Sequence, residues 1–510
     1  RPVAVIDIGT TAIRMAVAEI REGGTVHKLE TLSQDVQLGQ DTFRRGRIEH
    51  DTIEDCVRVL RSYRKVLDEY QIAQSDQIRI VATSAVREAV NGLAFIDRMY
   101  VATGLWVELA DEAEVSRITY LGVQPFLKEE SALADATVLV IEVGGGNTEV
   151  LAVRRGEVLF SHHYKLGSLR LRETLEAYRA PTSQLRTIMA SQIRRTAEQV
   201  RQSLTDQENL EMIAMGGDIR IAAQQLLTDW DMARMGKLRV KSLEQFTSKV
   251  LDQNIDELVR RYHLTFADAE TLGPALLAYV ELANALRLKQ VFVTNVNLWD
   301  GLLMEMTASP QWTADSVRPV IQSALDLGKK YHVDARHARH VADLAKQFFQ
   351  ELQQEHQLGP RYELLLEIAA LLHEIGMFVN MVSHHKHTLY LITNSELFGL
   401  NSQDLSLIGL IARYHRRGLP KPSHDKYGTL DREQRIAVAK LSAILRVADA
   451  LDHSRSQRIQ RFACSRENGQ LVITVPRVDD LSLEQLALRE KGPLFEEIFG
   501  TPVLLRKGSE

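Results

Sequence analysis

A strand whose penultimate residue is acidic, then a glycine turn, then a second strand occurs twice in this chain, about 135 residues apart. The first copy runs from 2–8 (PVAVIDI) through Gly9-Thr10-Thr11 into 13–20 (IRMAVAEI). The second runs from 136–143 (ATVLVIEV) through Gly144-Gly145-Gly146-Asn147-Thr148 into 149–155 (EVLAVRR). Strand, tight turn and strand make a hairpin. Its repetition at long spacing predicts two similar α/β lobes facing each other, each lending one loop to a shared cleft. Successive glycine N–H groups form an anion nest, because no side chain blocks the approach of a phosphate. Hydroxyls on Thr10, Thr11 and Thr148 would add donors, and Arg87 a bidentate phosphate contact. The carboxylates of Asp7, Glu142 and Glu149 suit a hard cation such as Mg²⁺. One such turn alone is more often an ordinary hairpin. The duplication, with a third turn at Gly216-Gly217-Asp218, shifts the balance to phosphate binding.

Other elements fill in the lobes. Helical periodicity covers about 51–70, and a strand at 78–82 leads into Thr83-Ser84-Ala85-Val86-Arg87-Glu88-Ala89. A helix at about 92–101 and a short strand at 105–109 follow, and 291–303 runs strand into helix. From about 308 strand patterns give way to amphipathic helices, and eleven of the sixteen histidines fall between His332 and His453. The tail reads as a hairpin turning at Asn468-Gly469, then one helix over about 482–499. The expected domains are 1–122 and 123–307 (the two lobes), 308–457 (helical) and 458–510 (small, α+β).

Charge and cysteine content narrow the partners. Net charge is −5, from 62 Lys+Arg against 67 Asp+Glu, so no global field draws in nucleic acid or an acidic membrane. An anionic ligand must be held locally. The longest apolar stretch, Leu364 to Val382, is interrupted by Glu367, His373, Glu374 and Asn380, which argues against a membrane span. Arg1-Pro2-Val3-Ala4-Val5-Ile6 reads as a strand with no signal-peptide pattern. Cys56 and Cys464, far apart, fit a reducing cytoplasm.

The motifs DIGTT, GGGNTEV and MGGD resemble the actin/hexokinase/Hsp70 superfamily, whose lobes are ribonuclease H-like. TSAVREA (83–89), HHKH (384–387) and RYHRR (413–417) narrow the resemblance to the Ppx/GppA phosphatases, including the long form's helical third and small fourth domains. The resemblance implies Mg²⁺-dependent cleavage of terminal phosphates from inorganic polyphosphate, or of the 5′ phosphate of pppGpp (guanosine pentaphosphate), by a Glu-activated water. It also implies a homodimer. The family's catalytic Glu position falls on Val115, leaving Glu114 and Glu112 as the neighbouring carboxylates. Thr11, Ala12, Asn147, Asp218 and Trp299 depart from the family's loop residues as well. Three readings follow: a phosphatase with Glu114 as base, a polyphosphate or guanosine-nucleotide binding regulator, and a metal phosphohydrolase of the HD type.

The third reading rests on His337, His373, Glu374 and Asp449, which have the order and spacing of an HD-type site on facing helices. Glu374 stands where active HD enzymes carry Asp, and His340 is a rival to His337. A buried polar network that only fixes helix packing explains the same residues. The basic group His384, His385, Lys386, His387, Arg413, His415 and Arg416 reads as polyanion guidance or as solvated surface.

Overall fold

Alternate residues of the first strand, β1 (Pro2–Ile8), enter two different cores. Ala4, Ile6 and Ile8 pack with Leu60 and Phe95, whereas Val3 and Val5 pack with Ile118 and Leu302. Helices on both faces bury the strand, which is why it reads as a continuous apolar run. It pairs antiparallel with β2 (Ala12–Ile20), and the turn sets Ile8 opposite Ile13 and Asp7 opposite Arg14. With β3 (Val26–Asp35), β4 (Ile78–Ala82) and β5 (Glu108–Leu109) the sheet order is β3-β2-β1-β4-β5.

The second sheet repeats this plan. Its strands are β6 (Thr137–Val143), β7 (Thr148–Arg154), β8 (Glu157–Tyr164), β9 (Leu210–Met215), β10 (Gly236–Arg239) and β11 (Gln290–Val293). Their order is β10-β11-β9-β6-β7-β8. In each sheet the strand before the glycine turn lies between its antiparallel hairpin partner and a parallel strand. Both glycine loops therefore leave their sheets at the carboxyl end of a central strand, where open α/β sheets bind ligands.

This computed structural model describes all residues except 22–23, 74, 178–183, 205–208, 308–313, 417, 425, 479 and 509–510. Arg417, the last residue of RYHRR, lies outside the described residues. Two compact units are present, Arg1–Pro310 with both large sheets and Gln311–Glu510. The second unit packs helices Ala335–Glu351, Pro360–Leu372, His384–Thr393, Ser402–Arg413 and Arg432–Leu451, and carries a three-stranded sheet. That sheet contains the expected hairpin, β12 (Ala463–Glu467) and β13 (Gln470–Val475), and adds β14 (Val503–Lys507) parallel to β13. The single helix expected over 482–499 is two, Ser482–Lys491 and Pro493–Phe499. Proline has no N–H to continue the first helix, but its fixed φ suits the opening of the second.

Candidate active site

Both glycine loops open onto one cavity of about 160 Å³. Asp7, Gly9, Thr10, Thr11, Arg87, Glu142, Gly144, Gly145, Gly146, Asn147, Glu149, Gly216 and Gly217 all line it. The loops touch: a Cβ on Gly145 would lie 2.3 Å from Thr10 Oγ1, so only glycine permits this approach. The carbonyls of Gly144 and Gly145 accept from the backbone N–H groups of Ser168 and Arg170 at 2.9 Å, and Gly146 O accepts from Arg170 Nε at 2.6 Å. In a trans peptide the next N–H points opposite to the carbonyl. The N–H groups of Gly145, Gly146 and Asn147 are thereby turned away from the Ser168–Arg170 side. Arg170 is fixed by Glu88 at 2.6 and 2.8 Å and lies over the Phe43 ring.

Tyr279 ties the second and third turns together. Its hydroxyl accepts from Val143 N at 2.9 Å and donates to Met215 O. Gly216 follows with φ +109, a conformation that side chains rarely adopt.

Five carboxylates, those of Asp7, Glu142, Glu149, Asp218 and Asp268, line the cavity. Burial pushes Asp7 up to about 6, with Arg14 opposing and Glu142 adding to the rise. Glu149 is pushed by burial to about 7 despite hydrogen bonds from Ser116 and Thr119, the latter at 3.1 Å. Burial also raises Glu142, which faces Glu149 across the β6–β7 ladder. Asp218, raised by burial to about 7, accepts from Thr271 Oγ1 at 3.0 Å and has Asp268 nearby. Like charges placed directly opposite destabilise a sheet, so the arrangement calls for cations. Arg14 and Arg87 also line the cavity. Asp7 Oδ1 and Glu149 Oε1 are buried with no hydrogen-bond partner. The unpaired Asp7 Oδ1 is a hard oxygen that fits Mg²⁺, which takes one or two carboxylates and completes its shell with phosphate oxygens and water. Asp7, Glu142 and Glu149 do not form a closed three-ligand cage. Among the described residues only His337, His373 and Asp449 bring three ligand atoms within 4.8 Å of one another.

Several sequence expectations are corrected. Glu114 does not line the cavity, but Val115 does. Asp111 caps the helix Glu112–Glu129, its Oδ1 accepting from Glu114 N at 2.9 Å, and this fixes the helix start. Residues three apart share a helix face, so Ser116 and Thr119 meet Glu149 while Glu114 and Arg117 turn to another cluster. There Arg79 lies 3.5 Å from Glu114, 2.8 Å from Glu108 and 3.3 Å from Glu305. Glu112 stands 3.5 Å from Arg87 Nη2 and is also outside the cavity lining. Thr148 is fully buried, with its hydroxyl committed to Leu166 O, so it offers no donor to a ligand.

Sequence reading missed His163. It lines the cavity from β8, directly opposite Glu149 in the ladder. Asn147 Nδ2 lies 3.2 Å from His163 Nδ1, and His163 Nε2 lies 2.9 Å from Ser116 Oγ. An amide nitrogen only donates, so Nδ1 accepts and Nε2 carries the proton. This chain of polar groups links the glycine loop, through Ser116, to Glu149.

Residues 16–309 match the profile of the "Ppx/GppA phosphatase family", and residues 320–491 match "Ppx/GppA phosphatase, domain III". The chain belongs to the Ppx/GppA phosphatase family. A guanosine-5'-triphosphate,3'-diphosphate pyrophosphatase of Photobacterium profundum is 23% identical over 478 residues, 93% of this chain and 91% of the relative. The Aliivibrio fischeri protein of the same name is 22% identical over 451 residues, 87% and 86% of the two chains. In structure, an exopolyphosphatase from Cytophaga hutchinsonii aligns at TM-score 0.54 with 19% identity, covering 60% of this chain and 98% of that one. An exopolyphosphatase-like protein aligns at 0.52 with 20% identity, covering 60% and 99%. These structural likenesses show the fold.

In this Ppx/GppA chain the C-terminal histidines also depart from the sequence reading. Glu374 does not join His337, His373 and Asp449; its carboxylate meets Arg455 Nη2 at 2.5 Å. His384 and His415 are buried, at 5% and 3% exposure, which removes them from a polyanion-guiding surface. Lys386 and Arg416 are exposed, whereas His385, His387 and Arg413 are half-buried. Burial pushes the His337 imidazole down, but Asp449 and Asp452 raise it further, to about 9 net. No described helix is long and apolar enough to cross a membrane.

Proposed function

We propose that this chain hydrolyses terminal phosphoanhydride bonds of inorganic polyphosphate or the 5′ phosphate of pppGpp, with Glu149 in place of Glu114 as the water-activating carboxylate. The observation that carries the reading is the unpaired, buried Oε1 of Glu149, in a cavity rimmed by glycine turns. A general base works best with a pKa near the operating pH, and burial puts Glu149 at about 7. Ser116 and Thr119 hold the carboxylate in place, and Glu149 takes a proton from the attacking water. Asp7 and Glu142 would hold Mg²⁺, which would supply positive charge to the phosphate oxygens. Arg14, Arg87 and the loop N–H groups bind the equatorial oxygens and stabilise the charge there. The cavity volume suits terminal phosphates rather than a nucleoside, since pockets for drug-sized ligands run roughly 300–1,000 Å³.

The regulator reading is favoured by one specific observation, the apolar Val115 in the cavity lining. Phosphate release from long-chain polyphosphate and from pppGpp, with Mg²⁺, separates the two. Turnover should fall about tenfold per pH unit below pH ~7 and drop about 10²–10⁴-fold in Glu149→Gln, while Glu114→Gln stays within about twofold. Binding of polyphosphate without any release would replace the enzyme with the regulator. Loss of turnover in Glu114→Gln would return the base to that residue.

A further inference from the structure

Three helical segments of the C-terminal unit bring two imidazoles and one carboxylate to a single buried point, and the imidazoles of His384 and His415 lie beside it. His337 Nδ1 lies 2.7 Å from Asp452 Oδ2, and His373 Nδ1 lies 2.6 Å from Ala370 O. His415 Nδ1 lies 2.5 Å from Ala412 O, and His384 Nδ1 lies 3.2 Å from Met381 O. Carbonyl and carboxylate oxygens only accept, so each of these Nδ1 atoms carries a proton and donates it. In the neutral rings every Nε2 then presents a lone pair. This is the arrangement that orients metal-binding histidines: one ring nitrogen donates to an oxygen and the other faces the ion.

The Nε2 atoms of His337 and His373 have no hydrogen-bond partner, and the two residues are 2% and 1% exposed. They stand 3.4 and 3.7 Å from Asp449 Oδ1. A tetrahedral ion with bonds of about 2.1 Å holds its ligand atoms about 3.4 Å apart. Asp449 keeps Oδ1 for that gap because Lys491 Nζ engages Oδ2. Close by, His384 Nε2 and His415 Nε2 face each other at 3.2 Å, two lone pairs in contact unless a cation stands by them. Glu374 is drawn to Arg455 and does not join the three ligand atoms.

We propose that the C-terminal unit binds one divalent transition-metal ion of the zinc class through His337 Nε2, His373 Nε2 and Asp449 Oδ1, with a fourth position open to water or a ligand oxygen. Two imidazoles and one carboxylate favour Zn²⁺, Co²⁺ or Mn²⁺ over Mg²⁺, which prefers oxygen donors throughout. The site is separate from the glycine-loop cavity and does not depend on the reaction proposed there. The Lys491 ammonium next to Asp449 repels the incoming ion, so the residue sets the affinity.

The test uses the full chain stripped with a chelator, titrated with Zn²⁺ by calorimetry and with Co²⁺ by visible absorption. One equivalent per chain should bind with a tetrahedral cobalt spectrum, in wild type and in Asp7→Asn/Glu149→Gln alike. His373→Ala should lose that equivalent, and Lys491→Met should bind at least tenfold more tightly while remaining folded by circular dichroism. An equivalent that survives His373→Ala but vanishes in Asp7→Asn/Glu149→Gln would overturn the assignment. So would the absence of any equivalent in both wild type and Lys491→Met, which would leave His337 and Asp449 as a protonated ion pair that only fixes helix packing.

Discussion

Neutralising Asp218 should strengthen anion binding in a pH-dependent way. Its carboxyl lines the glycine-loop cavity and is raised by burial from 3.8 to about 7, with Asp268 adding to the rise. In the folded chain the group therefore holds a proton between pH ~4 and ~7 that the unfolded chain releases. Stability falls as pH rises through that window, because the folded state binds more protons there. A shift of about three units corresponds to an upper limit of ~4 kcal/mol. The side chain is half-buried and borders an open cavity, so screening cuts this to about 1–2 kcal/mol. Asp218→Asn still accepts from Thr271 Oγ1 and removes the charge. At pH 8 it should raise the unfolding free energy by about 1–2 kcal/mol in urea titrations. The effect on a ligand is of similar size. For a dianionic phosphate about 6 Å away, Coulomb repulsion is about 1.4 kcal/mol even at the dielectric of water, a factor of ten in affinity. Calorimetric titration with tripolyphosphate should show at least that gain at pH 8 and a much smaller one at pH 5.5, where wild-type Asp218 is already protonated. Equal affinities at pH 8, or the same gain at both pH values, would refute the reasoning.

Two other perturbations probe the same cavity. Tyr279→Phe leaves Val143 N and Met215 O buried without their shared partner, and should cost about 2–4 kcal/mol in denaturant unfolding, with a higher KM for polyphosphate. Val115→Glu places a carboxylate in the cavity lining and should raise phosphate release about tenfold or more at pH 8. Unchanged turnover in a folded variant would mean that the cavity already has its full complement of bases.

The sequence by itself determined the parts whose physics is local. Glycine turns, alternating or continuous apolar strands and the Asn468-Gly469 hairpin follow from backbone conformation and side-chain period. The repeat at 135 residues' spacing gave two sheets of like order. The Asp7–Arg14 pair was within reach too, since a tight turn fixes register and sets these residues opposite each other. The break at Gly492-Pro493 was equally local, and Pro493 was the signal for it.

What only the tertiary structure decided is which way each side chain faces. Glu114 and Val115 are neighbours in sequence, yet a helix turns about 100° per residue. The Asp111 cap and the Arg79 cluster send Glu114 one way and Val115 the other. His163 reaches the cavity because β8 pairs with β7 in one register, and a slip of one residue would have presented His162. His384 and His415 look like parts of basic surface motifs, but they meet at 3.2 Å inside the helical unit. Lys491 reaches Asp449 from 42 residues away. Local propensity carries no information about such encounters, because long-range packing selects them. The glycine loops were therefore legible from the start. The groups that act on what they hold were not.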